Sequence, residues 1–266
     1  MLRPSVHGPV TRIQLARTIL GRPLYTVSAF LVDGLLIDSG PPHTALELVS
    51  WLREQQVHQV INTHHHEDHS GGNGPILDVL GLPLAAPSAT VPILANFPRL
   101  ELYRRIVWGQ PEDAIAQTLN TSVETERYRF QLIPTPGHCP DHTCFFEPVQ
   151  GWLFSGDLFI HERAHYLRRD ENLDALMGAL RCVLALQPRL LVCSHAGLVA
   201  DGTGTIERKL AYWASLRARA RRLHQSKCSL REITSRLLGR EGMMTWVSQG
   251  HISKINLIRA LLDPVP

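Results

Sequence analysis

The first 200 residues of the chain alternate between short apolar segments and segments whose apolar residues have helical spacing. Residues 24–32 and 35–38 are apolar and are separated by Asp33-Gly34, a pair typical of a tight hairpin turn. Residues 44–54 carry apolar side chains at positions 45, 48, 49 and 52, which predicts an amphipathic helix. The same patterns predict strands at 57–62, 84–86, 128–133, 143–147, 152–155 and 190–193, and helices at 76–80 and 172–186. Strands interspersed with helices indicate an α/β protein with sheets inside and helices outside.

Residues 87–125 do not follow a regular pattern. Three prolines, Pro92, Pro98 and Pro111, interrupt this segment, and Phe97 and Trp108 are among its scattered apolar residues. Two interpretations remain open. The segment either forms helices that pack on the core, or it forms a lid or pocket wall beside an active site.

The pattern becomes entirely helical after about residue 203. Apolar spacing predicts helices at 206–225, 230–238 and 253–262, and the first of these is strongly basic. We therefore expect two domains. Residues 1–203 form an α/β domain that carries the candidate chemistry described below, and residues 204–266 form a small helical appendage.

The composition is that of a globular protein, with 266 residues of which 44% are hydrophobic and 19% charged. A net charge of +3 is too small to indicate a nucleic-acid-binding protein, and no run of about 18 apolar residues predicts a membrane span. The N-terminal 20 residues lack the apolar stretch and cleavage site of a signal peptide. The five cysteines form no CxxC pair and are odd in number, so we expect a reducing, cytoplasmic location rather than a disulfide framework.

Histidine is the unusual residue, with 14 copies, several of them in the segment Thr63-His64-His65-His66-Glu67-Asp68-His69. This segment follows a predicted strand. In an extended backbone residues i and i+2 project to the same side, so His64 and His66 can reach one metal ion. Asp68 and His69 lie one turn further on and can reach a second position nearby. Imidazole and carboxylate groups are ordinary zinc ligands, but this segment supplies at most half of two coordination shells.

Three later segments carry further metal-ligating residues just beyond predicted strands, each beside a glycine. They are Pro136-Gly137-His138, Ser155-Gly156-Asp157 and Ser194-His195-Ala196-Gly197. Taken singly, each is most often a turn or a solvated histidine. Together with the first segment they supply seven ligands at strand ends, where sites in sheet-based folds are commonly built. Seven ligands complete two metal sites when one carboxylate is shared.

These residues resemble the signature of the metallo-β-lactamase-fold superfamily, HxHxDH followed by a separate His, a separate Asp and a final His. The resemblance implies an αββα four-layer sandwich with the metal site at one edge of its two sheets. It also implies two metal ions, the first bound by His64, His66 and His138, the second by Asp68, His69 and His195, and both bridged by Asp157.

The resemblance further implies that Asp38 supports the ligand histidines, with an ordinary turn aspartate as an equal alternative. Cys139 is expected to point away from the metals, because the adjacent His138 points toward them. We expect two divalent ions, zinc in the first place, with iron or manganese as alternatives. Such a pair shares a water and lowers its pKa toward about 7, which gives a bridging hydroxide ready for attack. Asp68 is the candidate catalytic residue, because it can also accept a hydrogen bond from this nucleophile.

Asp157 stands where true β-lactamases of the superfamily carry a cysteine or a serine, so glyoxalase II-like, lactonase-like and phosphodiesterase-like members are more similar. We expect a zinc-dependent hydrolase of a small-molecule ester, thioester, lactone or phosphoester, with minor or promiscuous β-lactam hydrolysis as an alternative. A ribonuclease is another alternative, because residues 207–241 contain ten Lys and Arg against three acids. A regulatory protein without enzymatic activity is the last alternative. No membrane partner is expected, and the oligomeric state stays open, with a homodimer among the possibilities.

Overall fold

The computed structural model describes residues 1–263. Its strands are β1 (Leu2–His7), β2 (Val10–Leu15), β3 (Thr18–Ile19), β4 (Arg22–Pro23), β5 (Val27–Val32), β6 (Leu35–Ile37), β7 (Gln59–Ile61), β8 (Leu84–Pro87), β9 (Gln117–Leu119), β10 (Ser122–Glu124), β11 (Arg129–Pro134), β12 (Thr143–Glu147), β13 (Trp152–Gly156), β14 (Leu167–Arg168), β15 (Leu190–Cys193), β16 (Gly197–Ala200) and β17 (Ile252–Ser253). Its α-helices are α1 (Ala45–Leu52), α2 (Glu67–Ser70), α3 (Asn73–Leu80), α4 (Val91–Leu94), α5 (Leu102–Val107), α6 (Leu173–Leu184), α7 (Gly202–Gln225), α8 (Leu230–Leu238), α9 (Met243–Val247) and α10 (Lys254–Leu262). Every strand and helix predicted above is present, with ends shifted by at most four residues.

Two sheets face each other across the centre of the molecule. The first has the strand order β1-β2-β5-β6-β7-β8-β9 and the second has the order β10-β11-β12-β13-β15-β16. Their facing sides share one hydrophobic cluster that includes Phe30, Ile61, Phe130, Phe145 and Phe154. Apolar residues on the inner faces of both sheets are typical of sheet-on-sheet packing.

Helices cover the outer face of each sheet. Leu48 of α1 and Ile76 of α3 pack on the first sheet. Leu180 of α6 and Trp213 of α7 pack on the second. The order helix, sheet, sheet, helix confirms the predicted αββα sandwich.

The C-terminal helices lie in the outer layer of the second sheet. Helix α7 contacts β15, β16 and α6, and α10 contacts α6, α7 and α8. Trp213, Ile233 and Leu257 belong to the same hydrophobic cluster as Leu153 and Leu191 of the second sheet. Strand β17, close to the end of the chain, pairs with β14. The division into domains at residue 203 stays a prediction, which limited proteolysis of the intact chain would test.

The segments that follow five strands meet at one edge of the sandwich. In the first sheet β6 runs parallel to β7, and in the second β13 runs parallel to β15. Strand β11 runs in the same direction as β13, because both are antiparallel to β12. The carboxyl ends of these strands are followed by Asp38, the His64–His69 segment, His138, Asp157 and His195. The topology therefore brings residues distant in sequence to one place.

Three further features bear on the sequence expectations. Residues 87–125 form the short helices α4 and α5 and the strands β9 and β10. All five cysteines are free. Among residues 1–263, no helix is both long and apolar enough to cross a membrane.

Candidate metal centre

The seven residues predicted as metal ligands lie together, and six of them are buried. They form two groups that meet at Asp157. We call His64, His66 and His138 the first ligand group, and Asp68, His69 and His195 the second ligand group. His195 is the partly exposed member.

In the first ligand group three ring nitrogens converge. Nδ1 of His66 lies 2.9 Å from Nε2 of His64 and 2.8 Å from Nε2 of His138. Oδ2 of Asp157 lies 3.4 Å from the same Nε2 of His138. Three imidazole nitrogens and one carboxylate oxygen form a donor set that suits a tetrahedral zinc ion.

The second ligand group is richer in carboxylate. Oδ1 of Asp157 lies 3.3 Å from Nε2 of His69 and 3.3 Å from Nε2 of His195. Oδ2 of Asp68 lies 3.7 Å and 3.6 Å from these two nitrogens. The four ligating atoms lie within 4.8 Å of one another, which is the spacing of a cluster that could hold one cation.

Asp157 therefore faces both groups, with a different carboxylate oxygen toward each. Its Oδ1 and Nε2 of His69 are buried and have no hydrogen-bond partner among the described residues. Leaving such polar atoms buried without a partner is costly, so their presence calls for an explanation. A cation between them supplies one, and the residues present fit a divalent metal ion.

The outward-facing nitrogens of four histidines have acceptors behind them. His69 Nδ1 lies 2.8 Å from Oδ2 of Asp38, and His195 Nδ1 donates to the carbonyl oxygen of Thr26 at 2.9 Å. The other two pairs are His64 Nδ1 with Thr63 Oγ1 at 2.9 Å and His138 Nδ1 with Glu171 Oε1 at 2.6 Å. A proton held on Nδ1 keeps the lone pair of Nε2 directed inward, as metal ligation requires.

The two groups differ in how their surroundings shift the pKa values. Burial lowers the pKa of His64 and of His66 well below the ordinary value, and neighbouring positive charges add to this. Burial also lowers the pKa of the second-group histidines, but the carboxylates of Asp157 and Asp68 outweigh it. They raise the pKa of His69 well above its ordinary value and that of His195 to about 9. His64 and His66 thus present neutral imidazoles, whereas His69 and His195 hold protons that a metal ion must displace.

Asp38 contacts His69 and Thr63, as the first of its two predicted interpretations requires. Its Oδ1 accepts from the backbone N–H of Thr63 at 2.8 Å, while its Oδ2 contacts His69. The backbone of Asp38 has a φ of +62°, a left-handed conformation that aspartate tolerates better than most residues. This conformation directs the carboxylate under the histidine segment.

Two glycines allow the chain to turn at the site. Gly137 has a φ of +134°, and a Cβ added to it would lie 2.4 Å from the backbone nitrogen of Leu176 in α6. Gly156 has a φ of +45°, and its Cβ would lie 2.7 Å from Nε2 of His142. A larger residue at either position would displace His138 or Asp157, the residues that follow directly.

The sequence did not indicate Glu171 and Arg168 as parts of the centre. Glu171 is 33 residues from its partner His138. Nη1 of Arg168 lies 3.5 Å from Nδ1 of His66, across 102 residues of chain. Neither residue stands in a motif or beside a predicted strand end, so no local pattern could have identified them.

Asp141 and His142 had no predicted role. Their side chains make hydrogen bonds to the segments that carry the candidate ligands. The two oxygens of Asp141 accept from the backbone nitrogen of His65 at 2.9 Å and contact its Nδ1 at 2.8 Å. Nε2 of His142 accepts from the backbone N–H of Asp157 at 3.1 Å. Burial lowers the pKa of His142 to about 3, which keeps it a neutral acceptor.

The expectation that Cys139 points away from the centre is wrong. Its Sγ lies within 4.8 Å of a ring nitrogen of His64 and of His66, and its side chain is buried. The chain turns sharply at Gly137, so consecutive side chains do not alternate as they would in a strand. Burial raises the pKa of this thiol well above its ordinary value, which favours the uncharged form.

Residues from the irregular segment 87–125 border the centre. The ring of Trp108 lies 6.5 Å from that of His195, and Tyr25 packs between them at 5.7 Å and 5.6 Å. Beside α5 opens a cleft of about 640 Å³, lined by residues that include Tyr103 and His251. Leu94 and Ala114 of the same segment belong to the hydrophobic cluster of the first sheet, so the segment both packs on the core and borders a cleft.

The segment after Asp157 is held by the C-terminal part of the chain. The ammonium group of Lys209, in α7, donates to the carbonyl oxygen of Phe159 and lies 4.6 Å from the ring centre of Trp213. Burial lowers the pKa of Lys209 to about 8. Helix α7 thus contacts the loop that continues from the shared carboxylate.

The fold and the seven converging residues define a class of metal-binding αββα proteins, and sequence comparison agrees with that class. The family described as "Metallo-beta-lactamase superfamily" matches residues 22–195. The chain therefore belongs to the metallo-beta-lactamase superfamily.

Individual relatives are more distant. Thioesterase pkgB of Emericella nidulans is 27% identical over 208 residues, which are 74% of this chain and 53% of that protein. A hydroxyacylglutathione hydrolase of Hydrogenovibrio crunogenus is 30% identical over 118 residues, 44% of this chain and 37% of that protein. The chain thus spans about half, or less, of the length of these curated relatives.

Among solved structures, a beta-lactamase domain protein from Burkholderia ambifaria is similar with a TM-score of 0.71. The similarity covers 97% of this chain and 86% of that chain, at 16% identity. At this identity the comparison supports the fold alone.

Proposed function

We propose that this protein is a hydrolase of thioester or ester bonds that uses two divalent metal ions. The observation that carries the proposal is the position of Asp157, whose two carboxylate oxygens face different ligand groups. A carboxylate in that position can bridge two cations. The unpartnered, buried atoms of His69 and Asp157 support the same interpretation.

In this proposal the first ligand group binds one ion and the second ligand group binds the other, with Asp157 shared. Zinc suits imidazole and carboxylate donors, and iron or manganese are the alternatives. Ions bound there would activate a water molecule and polarise the carbonyl oxygen of the substrate.

The remaining steps belong to side chains of the protein. Asp68 accepts the proton of the attacking water at its carboxylate, which lies at the edge of the second ligand group. Asp38 and Glu171 hold the tautomers of His69 and His138, so that the ligating nitrogens stay directed inward. Tyr25 and Trp108 form an aromatic wall beside His195 against which a substrate can pack.

The names of the relatives favour a thioester among the candidate bonds. One relative is a thioesterase and another is a hydroxyacylglutathione hydrolase. Tyr25 and Trp108, which pack beside His195, offer apolar surface to the acyl or thiol part of such a substrate. A small-molecule thioester is therefore the substrate class we propose.

The test is a hydrolase screen of the protein loaded separately with zinc, manganese and iron. The panel contains S-benzoyl and S-acetyl thioesters, an aryl ester, a lactone, bis(p-nitrophenyl) phosphate and a chromogenic β-lactam. We expect thiol release from the thioesters to be fastest, and to be lost in Asp157→Ala but retained in Asp78→Ala, which removes an exposed carboxylate of α3. No turnover of any ester or thioester with two metals bound would contradict the proposal and revive the regulatory alternative.

The ribonuclease alternative receives little support from the basic C-terminal helices. Lys209 is buried, Arg208 is paired with Asp201, and Arg217 is paired with Asp174. Fewer cations of the 207–241 segment are thus free for phosphates. RNA binding whose affinity falls steeply between low and moderate salt would restore this alternative.

A further inference from the structure

Arg168 is a largely buried arginine whose side chain ends at the candidate metal centre. It lies in β14, and its side chain is 14% exposed. Nε and Nη2 contact the two carboxylate oxygens of Asp170 at 3.0 Å and 2.6 Å. Its backbone N–H donates to Oε2 of Glu171 at 2.7 Å, and the other oxygen of Glu171 contacts His138.

Two nitrogens of the guanidinium are therefore engaged, and Nη1 is directed elsewhere. Nη1 lies 3.5 Å from Nδ1 of His66, the atom on which the nitrogens of His64 and His138 also converge. A guanidinium N–H thus reaches the place where the first ligand group meets. Burial lowers the pKa of Arg168, but Asp170 outweighs it and raises the pKa above its ordinary value, so the group stays charged.

Contacts with other parts of the fold fix the position of Arg168 and of its partner Asp170. Asp170 also contacts Nε2 of His251 at 3.1 Å, and Nδ1 of His251 lies 2.7 Å from the hydroxyl of Tyr103 in α5. Arg168 itself pairs with Ile252 of β17 in the small sheet. The C-terminal part of the chain and the wall of the cleft thereby fix the position of one side chain at the centre.

The neighbouring arginine has a different arrangement. Arg104 directs Nε and Nη2 to the carboxylate of Glu67, and its Nη1 lies 3.6 Å from Glu101. All three of its nitrogens thus face carboxylates, and none faces the ligand groups. Of these two arginines, Arg168 is the one with an N–H directed at the centre.

The geometry distinguishes between two uses of Arg168. Recognition of a substrate carboxylate normally uses the guanidinium fork, which offers two parallel N–H groups. Here the fork is occupied by Asp170, and the Arg168–Asp170 pair carries no net charge. A single fixed N–H instead suits one oxygen atom on which negative charge develops, as in an oxyanion hole.

We propose that Nη1 of Arg168 donates a hydrogen bond to the carbonyl oxygen of the substrate and stabilises the negative charge that develops there during hydrolysis. When the water oxygen bonds to the carbonyl carbon, the π electron pair moves to the carbonyl oxygen and the proton of the water moves to Asp68. When the C=O double bond re-forms, the C–S bond breaks and its electron pair leaves with the thiolate. Asp68 then gives its proton to the thiolate, so the products are a carboxylic acid and a thiol, and the acid loses its proton to the solvent. This inference rests on the proposed function.

The kinetic test compares Arg168→Gln and Arg168→Lys with the wild-type protein on an S-benzoyl thioester. Loss of one oxyanion donor lowers kcat by about 100-fold or more, and we expect this for Arg168→Gln with KM changed by less than about twofold. Arg168→Lys keeps the charge but not the planar geometry, so its kcat should lie between that of the wild type and that of Arg168→Gln. Arg181→Gln, which removes an exposed arginine of α6, is the matched control and should resemble the wild type. Metal content of both Arg168 variants should be unchanged.

A raised KM with unchanged kcat would overturn the proposal, because it would indicate binding of an anionic group already present in the substrate. A loss of metal in Arg168→Gln would also overturn it, because Arg168 would then act only by holding the ligand histidines. Unchanged kinetics in both variants would overturn it as well.

A binding measurement separates this inference from the proposed function. Calorimetric titration of the zinc-loaded protein with methylphosphonate, a tetrahedral oxyanion, should show at least about tenfold weaker binding in Arg168→Gln. 2-Mercaptoethanol, a metal-binding thiol without a charged oxygen, should bind both proteins equally. Arg168-dependent phosphonate binding in a protein that hydrolyses no ester or thioester would leave Arg168 as an oxyanion-binding residue and overturn the proposed function. Equal phosphonate binding in both proteins, with thioester turnover intact, would overturn the role of Arg168 alone.

Discussion

The first and second ligand groups differ in composition and in charge. The first contains three imidazoles and only the shared carboxylate of Asp157, with the cation of Arg168 beside His66. The second contains the carboxylates of Asp68 and Asp157, and a third, from Asp38, lies behind His69. The second group is therefore the more acidic one, whereas an arginine N–H lies beside the first.

This difference indicates that the two sides of the centre have different chemical roles. The side with the fixed N–H of Arg168 suits the oxygen on which negative charge develops. The carboxylate side suits the acceptance of a proton from water. A hydrolase needs both environments within a few ångströms, and Asp157 joins them.

The largest expected effect removes the residue that the two groups share. Asp157→Ala should lose at least one of two metal equivalents, because both groups lose an oxygen donor. We expect thioester hydrolysis to fall by more than about 100-fold, since even a change behind the ligands costs 10–100-fold. Elemental analysis and the thiol-release assay measure the two effects. Full two-metal occupancy in this variant would contradict the bridging assignment, and Asp78→Ala is the control.

The next prediction distinguishes the two groups by changing the carboxylates that contact their histidines from behind. Asp38→Asn removes the carboxylate behind His69, and Glu171→Gln removes the one behind His138. Each change should weaken metal binding by about 10–100-fold. Asp38→Asn should act most strongly on the second group, because Asp38 contacts His69 directly and reaches His64 only through the hydroxyl of Thr63. Glu171→Gln should act on the first group. Stepwise metal titration against a chromogenic chelator resolves the two sites. If both variants weakened the same step, the assignment of supports to separate sites would be wrong.

Proton release should distinguish the groups without any mutation. The pKa of His195 is raised to about 9, so in the metal-free protein at pH 7 it carries a proton that a metal ion must displace. Because His69 also holds a proton, metal affinity of the second group should rise by at least about tenfold per pH unit around pH 7. The first group should show no such rise at neutral pH, because the pKa values of His64 and His66 lie well below their ordinary value.

Calorimetric metal titrations in two buffers of different ionisation enthalpy measure this release directly. The second binding step should release about one proton or more at pH 7, and the first step close to none. Equal release in both steps would mean that the two groups do not differ in charge as described.

The smallest predicted effect concerns the aromatic wall beside the second group. Trp108→Ala should raise KM for an S-benzoyl thioester about fivefold, since aromatic contacts contribute about 1 kcal/mol beyond burial. The value of kcat and the metal content should change little, because Trp108 contacts His195 by packing alone. Trp108→Phe retains a ring and should resemble the wild type. A fall in kcat without a change in KM would contradict a binding role.

The hydrophobic pattern was sufficient to predict an α/β protein with sheets inside, and the resemblance of its ligand motifs to the superfamily added the αββα sandwich and the seven candidate ligands. Hydrophobic periodicity is a local property, so β12, β15 and α8 were predicted with their observed bounds. The candidate ligands could be found because each follows a strand or lies in the HHHEDH segment. Their assignment to two metals stays a prediction that the metal titrations above test.

The tertiary structure alone decided which residues stand behind and beside these ligands. Glu171 and Arg168 reach the centre across 33 and 102 residues, and Tyr103 meets His251 across 148. Such contacts depend on how the layers pack, which no short segment encodes. The direction of Cys139 depends in the same way on the turn at Gly137, whose close approach to α6 exists only in the folded chain. The sequence alone therefore indicated the candidate ligands, because each lies in a recognisable local segment. The charge difference between the two groups arises from contacts between residues far apart in the sequence, which only the folded chain brings together.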